Sequence, residues 1–397
     1  MQGPAQDRSQ ITPHRVSFSG TGAEYFRVWI VNVLLTLLTL SIYRPWARRR
    51  TLQYFHGHTL VAGSPLEFTG QLRRMLFGFL VFPALYAAYE LARRTGQDRT
   101  AGLLFFGFAA LWPVLWTGAM RFRLSSTRWR GVRMGFTASL REAYLANWPA
   151  FVIAAVWTGV FVIATALVAG ARHPGVPRPP LPWASLLALF ASGLVLSLLC
   201  VIRLEYNYRR LLVTRAQVGG QAGRWKPVYA DFVKIWLATV GILLLSGLAT
   251  GVLAGLLSVG SARVGHGGSS PIRAIVIGVF IGIVGLLVLT VPARAYRQAR
   301  MFQLTWNNIG VSRIARFQSD LRTGAFVWLR TKNILLTLVT LGFYRPFAVV
   351  NEYAMRVNSL TMYVKGGIDQ LKGELVRQQG ALGDAAIDGL GLDWVGA

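Results

Sequence analysis

Six residues in two places have the right types and spacing for hydrogen-bond chemistry inside an apolar phase. Asn32, Thr36 and Thr39 recur as Asn333, Thr337 and Thr340. Spacings of four and three put each trio on one side of a helix, as a polar stripe. An amide and two hydroxyls surrounded by hydrocarbon must either bond a neighbouring helix or line a wet cavity. Both readings stay open: helix-packing bonds, or the wall of a path for a polar ligand.

The charges around these stripes are basic. Arg330 and Lys332 border the second copy, and Arg44 and Arg345 follow the two stripes in Tyr43-Arg44-Pro45 and Tyr344-Arg345-Pro346, triplets expected to stop each helix at the interface. They are candidate contacts for an anion or a lipid headgroup, or anchors that snorkel to the interface. His56-Gly57-His58 sets two imidazoles on one face if the chain is extended, with only Glu67 across a hairpin to support them. No metal site is expected there. No Ser-His-Asp order, phosphate-binding loop or H-E-x-x-H motif is present. With Asp+Glu 15 and His 5, a catalytic constellation is hard to assemble, so the chain is expected to be neither an enzyme nor a cofactor protein.

The elements that carry these residues follow from composition. The 397 residues hold 42 Lys+Arg against 15 Asp+Glu, a net charge of +27, yet only 14% are charged and 53% are hydrophobic. Soluble domains carry about 25% charged residues. Mean hydropathy is +0.44. A disordered chain and a disulfide scaffold are excluded, the single Cys200 lying in an apolar run. The polar first residues do not read as a signal peptide.

A spanning helix needs about 20 apolar residues. Charge-free gaps at 100–120, 143–171, 179–202, 235–262 and 274–293, with 75–92, give six spans. Two further runs, 28–43 and 333–344, are shorter. They are related: residues 32–47 match 333–348 at 11 of 16 positions. Such a match reads as an internal repeat. The short runs fit either re-entrant segments or a model with eight full crossings. Arg330 and Lys332 trim the second run enough to favour re-entry, with both termini on the cytoplasmic side.

The segments between spans alternate in charge. Residues 44–74, 121–147 and 294–322 hold six basic residues each and 203–234 hold seven, against two or three in 93–100, 171–182 and 259–273. The positive-inside rule makes the four basic segments cytoplasmic. Each passes short β-prone stretches and turns, so minor β-hairpins are expected there. Small-residue ridges at Gly247, Gly251 and Gly255, and at Gly278 and Gly282, predict close helix contacts.

Asn32 to Ala47 after Glu24-Tyr25-Phe26, the Phe68-Thr69-Gly70 turn, and Ser125-Ser126-Thr127-Arg128-Trp129-Arg130 together resemble the YjgN family of bacterial inner-membrane proteins, over roughly residues 16–365. The sequence departs from the pattern after Pro346-Phe347-Ala348, where Val349 and Val350 stand at positions that are basic in the first copy. The resemblance implies a multi-pass inner-membrane location and supplies no reaction.

The expected architecture is an all-α polytopic membrane protein. It has a polar head (1–24), a membrane domain (25–363) of six bundled helices plus two homologous short segments, and a polar tail (364–397). The expected partners are anionic lipid headgroups at the cytoplasmic face, with a homo-oligomer admitted and no nucleic acid. Two functions fit: a transporter or channel-like pore for a small polar or anionic solute, and a non-transport scaffold or lipid-organising protein.

Overall fold

The computed structural model describes residues 11–170, 182–227, 229–264, 271–311 and 315–365, with Ile368, Gly373, Leu375 and Val376 of the tail; side chains are described for fewer positions between 253 and 289. The chain alternates strands with helix pairs. In order these are β1 (Ile11–Phe18), α1 (Gly22–Leu38), α2 (Arg44–Gly57), β2 (Thr59–Val61), β3 (Ser64–Phe68), α3 (Leu72–Arg94), α4 (Asp98–Ser125), β4 (Thr127–Trp129) and β5 (Val132–Phe136). Then follow α5 (Leu140–Gly170), α6 (Trp183–Arg215), β6 (Ala216–Val218), β7 (Gln221–Trp225), α7 (Tyr229–Val264), α8 (Pro271–Asn307), β8 (Ile309–Val311), β9 (Ala315–Ser319), α9 (Thr323–Val339), α10 (Arg345–Asn358) and β10 (Leu360–Lys365).

The expected minor hairpins are the pieces of one closed, ten-stranded antiparallel barrel, in the order β1-β10-β9-β8-β7-β6-β5-β4-β3-β2. The fold is therefore mostly helical but not all-α. Two-residue turns make three of the hairpins. Ala62-Gly63, Arg130-Gly131 and Gly219-Gly220 all have positive φ at both positions, the condition for turns whose twist matches that of the flanking strands. The barrel closes where β1, inside the polar head, pairs with β10, Ile11 opposite Lys365. Inward positions are apolar: Val16 faces Val61, Leu66 faces Trp129, Met134 faces Val218 and Phe317 faces Met362. Leu375 of the tail is buried against this core.

Every helix pair leaves the barrel and returns to it. Among the described residues the helices contact one another in chain order, and α10 returns to α1, so they form a ring above the barrel. Five helices, α3 to α7, are long and apolar enough to cross a membrane. The sixth expected span, 274–293, lies in α8, where most side chains fall outside the described residues. A compact six-helix bundle is not what the five form: only 6% to 17% of the apolar window of each is buried. Close approach of α7 and α8 occurs where Gly285 meets Thr250, whereas a Cβ at Gly251 or Gly282 meets nothing within 4 Å among the described residues; Gly255 and Gly278 lie outside the described side chains.

The two short runs are helical hairpins. α1 and α9 have 17 residues each, α2 and α10 have 14 each. Since β1 pairs with β2 and β9 with β10, the chain enters and leaves each short pair on one side. One full crossing at either run would separate those paired strands. The Tyr-Arg-Pro triplets, read as helix stops, instead start α2 and α10, with Pro45 and Pro346 in the first turn. A proline there loses no helical bond, because that N–H has no partner within the helix.

Candidate functional site

The polar stripes resolve into local bonds. Asn32 Nδ2 donates to the Ala47 carbonyl at 3.3 Å, tying α1 to α2. Asn333 Nδ2 donates to Ala348 at 3.3 Å, tying α9 to α10. The hydroxyls turn back onto their own helices. Thr36 and Thr337 donate to the Asn32 and Asn333 carbonyls, and Thr39 and Thr340 donate to Leu35 and Leu336. Thr39 and Thr340 also accept from the Tyr43 and Tyr344 amides at 3.0 Å, which closes the hairpin tips. Both asparagines are buried, and each keeps its Oδ1 without a partner among the described residues. The structure thus brings each trio together as a brace within one hairpin.

The hairpin tips are apolar and exposed. Leu37, Leu38, Leu40 and Ile42 project from one, and Val339, Leu341 and Phe343 from the other, with Leu40 and Leu341 both 89% exposed. Their backbone amides are satisfied internally: Ser41 N donates to Thr36 O and Gly342 N to Thr337 O, each at 2.7 Å. Arg44 and Arg345 lie exposed beside these tips. Each stands fifteen residues before the following strand, and so does Arg294 on α8. At 1.5 Å per residue that is about 22 Å above the barrel. Arg294 is the first charge after the apolar stretch 274–293 of α8, so the tips reach the height at which that stretch begins.

The charged residues gather between α6, α8 and α9. A cavity of about 330 Å³ is lined by Glu205, Arg209, Arg294, Arg297, Gln298, Met301 and Arg330. Glu205 organises it. Its Oε1 accepts from Arg209 Nε at 3.1 Å and Nη2 at 2.8 Å, and its Oε2 from Trp236 Nε1 at 2.9 Å and Arg297 Nη1 at 3.4 Å. The Arg297 guanidinium also sits 4.5 Å from the Trp236 ring centroid. Arg209 reaches Thr305 on α8 at 3.0 Å, linking α6 to α8 past α7. Arg330 lies 3.7 Å from Glu352 on α10, and Arg294 has no ion-pair partner among the described residues. Four guanidiniums around one lining carboxylate leave the cavity positive, a field that favours an anion.

Of the basic residues singled out in sequence, Arg330 joins this cavity, whereas Lys332 is exposed on α9. Glu205, Arg209, Arg294 and Arg297 were missed. The available signal was Glu205-x-x-x-Arg209, a helical i,i+4 pair at the basic end of an apolar helix. His56 and His58 end a helix rather than a strand, and each Nδ1 lies 2.8 Å from its own i−4 carbonyl. Burial holds the His56 imidazole below its ordinary pKa. Beside the barrel mouth, burial raises the Tyr353 phenol and lowers Arg356.

With that geometry in hand, comparison with known proteins identifies the group. A family model described as "Bacterial protein of unknown function (DUF898)" matches residues 13–389. The chain belongs to the DUF898 family. It is 28% identical over 159 residues to an inner membrane protein YjgN of Escherichia coli O157:H7, and 25% identical over 158 residues to the YjgN of Salmonella typhimurium. These alignments cover 40% and 39% of this chain, and in both cases 40% of the relative. The chain therefore spans about two fifths of the length of the curated relatives it matches. No solved structure matches. With five helices able to cross, this DUF898 chain is a multi-pass inner-membrane protein.

Proposed function

We propose that this DUF898 protein is a non-enzymatic, lipid-organising membrane protein that holds anionic headgroups at the cytoplasmic leaflet. The observation that carries the reading is the arginine cavity around Glu205, which opens at the height where the apolar part of α8 ends at Arg294. Juxtamembrane arginines attract anionic lipid at about 1 kcal/mol each, and a guanidinium fork suits phosphate oxygens. The four basic segments supply eight of the barrel strands, and the positive-inside rule supports reading the barrel as cytoplasmic. The short hairpins then touch the leaflet from below: apolar tips dip in, while Arg44 and Arg345 meet headgroups. In this reading six helices cross and the short pairs do not.

The test uses nanodiscs of mixed phosphatidylglycerol and phosphatidylcholine, with bound lipid quantified after purification. The wild type should enrich phosphatidylglycerol several-fold, and Arg294→Gln with Arg330→Gln should abolish the enrichment. Equal enrichment in wild type and variant overturns the assignment. A cysteine at Leu40 or Leu341, in a Cys200→Ser background, should resist a membrane-impermeant maleimide; rapid labelling removes the tips from the leaflet.

The same positive cavity supports a second reading, transport of a small anionic solute, because its residues converge from three helices. The stripes at Asn32 and Asn333 no longer support that reading, since their hydroxyls are committed to helix carbonyls. Anion flux in proteoliposomes that falls in Arg294→Gln, without lipid enrichment in the wild type, would establish transport instead.

A further inference from the structure

The barrel contains a second cavity, separate from the arginine site. Its volume is about 240 Å³, and its walls include Val16, Leu66, Trp129, Met134, Phe317 and Met362. All six come from inward-facing strand positions. At the helix end, the space is covered by Trp306, Tyr353 and Val357. At the turn end, Leu375 of the tail lies over Gly219 of the β6–β7 turn, where even a Cβ would come within 2.8 Å of it. Three polar groups at the wall are already engaged: Trp129 Nε1 donates to Val61 O at 3.0 Å, and the Tyr353 and Thr59 hydroxyls pair at 2.9 Å.

Small barrels of this kind usually fill their interior with side chains. A space whose walls are overwhelmingly apolar disfavours ordered water, and an engineered apolar cavity of ~150 Å³ stays dry and takes up benzene. The lumen here is larger than that. Its lining atoms lack dispersion partners on one side, and an apolar guest restores them.

We propose that the barrel lumen is a binding site for a small apolar ligand of the class of a single short alkyl chain, entering as a free molecule. The covers at both ends, Tyr353 with Trp306 and Leu375, exclude the tail of a lipid that stays in the bilayer. This site is independent of the headgroup reading: it uses none of the arginines, and either can fail alone.

Two of the seven methionines, Met134 and Met362, face the lumen, so their methyl groups report on it directly. The full chain, labelled with carbon-13 at methionine methyls and held in nanodiscs, is titrated with 1-octanol. Met134→Leu and Met362→Leu assign the two signals. Both should shift and saturate, while Met75 and Met120, outside the barrel, follow only the gradual drift of bulk partitioning. Val311→Phe, which fills the lumen from β8, should abolish the saturable shift; if that variant does not fold, xenon under pressure should compete with octanol for the same two signals. Unchanged Met134 and Met362 signals, or a linear drift matching Met75, overturns the proposal.

Discussion

Asn333 and Ala348 are joined by an amide-to-carbonyl bond of 3.3 Å that pins α9 to α10 across their tip, and Asn333 also sends Nδ2 to within 3.4 Å of Glu352 Oε1. Asn333 is fully buried. Asn333→Leu should cost about 0.6 to 2 kcal/mol, the range for an interhelical bond in an apolar setting. Asn333→Asp should be much worse, because it buries a second carboxylate beside Glu352. Thermal midpoints in detergent should rank wild type, then Leu, then Asp; an Asp variant as stable as wild type rejects the brace.

Glu205 holds Arg209, Arg297 and Trp236 together. Glu205→Gln keeps an acceptor for Trp236 but leaves two guanidiniums facing each other without a counter-charge. Charge-assisted bonds of this sort contribute about 1.5 to 3 kcal/mol. The variant should unfold at lower denaturant, and added inorganic phosphate should restore more stability to it than to wild type. Equal phosphate effects would show that the cavity does not attract anions.

The His56 ring packs 5.5 Å from Phe68 of β3. Burial lowers its folded pKa, so the unfolded chain, near 6.5, takes up its proton first. The stabilising contribution is complete above pH 6.5 and is lost as pH falls from there toward the folded value. Loss from one site is at most about 1.4 kcal/mol per pH unit. Unfolding followed between pH 7.5 and 5.5 should show this slope, and His56→Phe should flatten it; an identical slope in the variant assigns the effect elsewhere.

Two barrel glycines should respond oppositely. A Cβ at Gly223 would strike the Val213 carbonyl, whereas one at Gly135 meets nothing within 4 Å among the described residues. Gly223→Ala should cost about 1 to 3 kcal/mol by overpacking against backbone. Gly135→Ala should be neutral or gain up to ~1 kcal/mol by restricting the unfolded chain. Similar melting curves for both would contradict the close approach of α6 to β7.

The legible parts of this molecule were local. Charge-free gaps found five helices long and apolar enough to cross, and turn residues such as Arg130-Gly131 marked the hairpins, because both signals sit within a short window of chain. Closure of the barrel was illegible, since each hairpin satisfies local rules equally well alone, and β1 meets β10 only through pairs such as Ile11 and Lys365. Pro45 misled for a related reason: the same residue ends one helix or begins another, and the direction of the chain beyond it decides which. The arginine cavity was hidden because Arg209, Arg297 and Arg330 sit on separate helices, where each reads singly as an interface anchor.

Joining β1 to β10 also sets an order of events during synthesis. Strand β1 emerges with one edge paired to β2 and the other bare, and it stays bare until β10 (Leu360–Lys365) has been made. Exposed strand edges invite pairing with other chains, and contacts between distant residues form slowly. Strand β10 therefore acts as a latch. A ribosome that stops before residue 360 releases a chain with its membrane helices complete but two open strand edges, a shape suited to recognition by quality-control proteases.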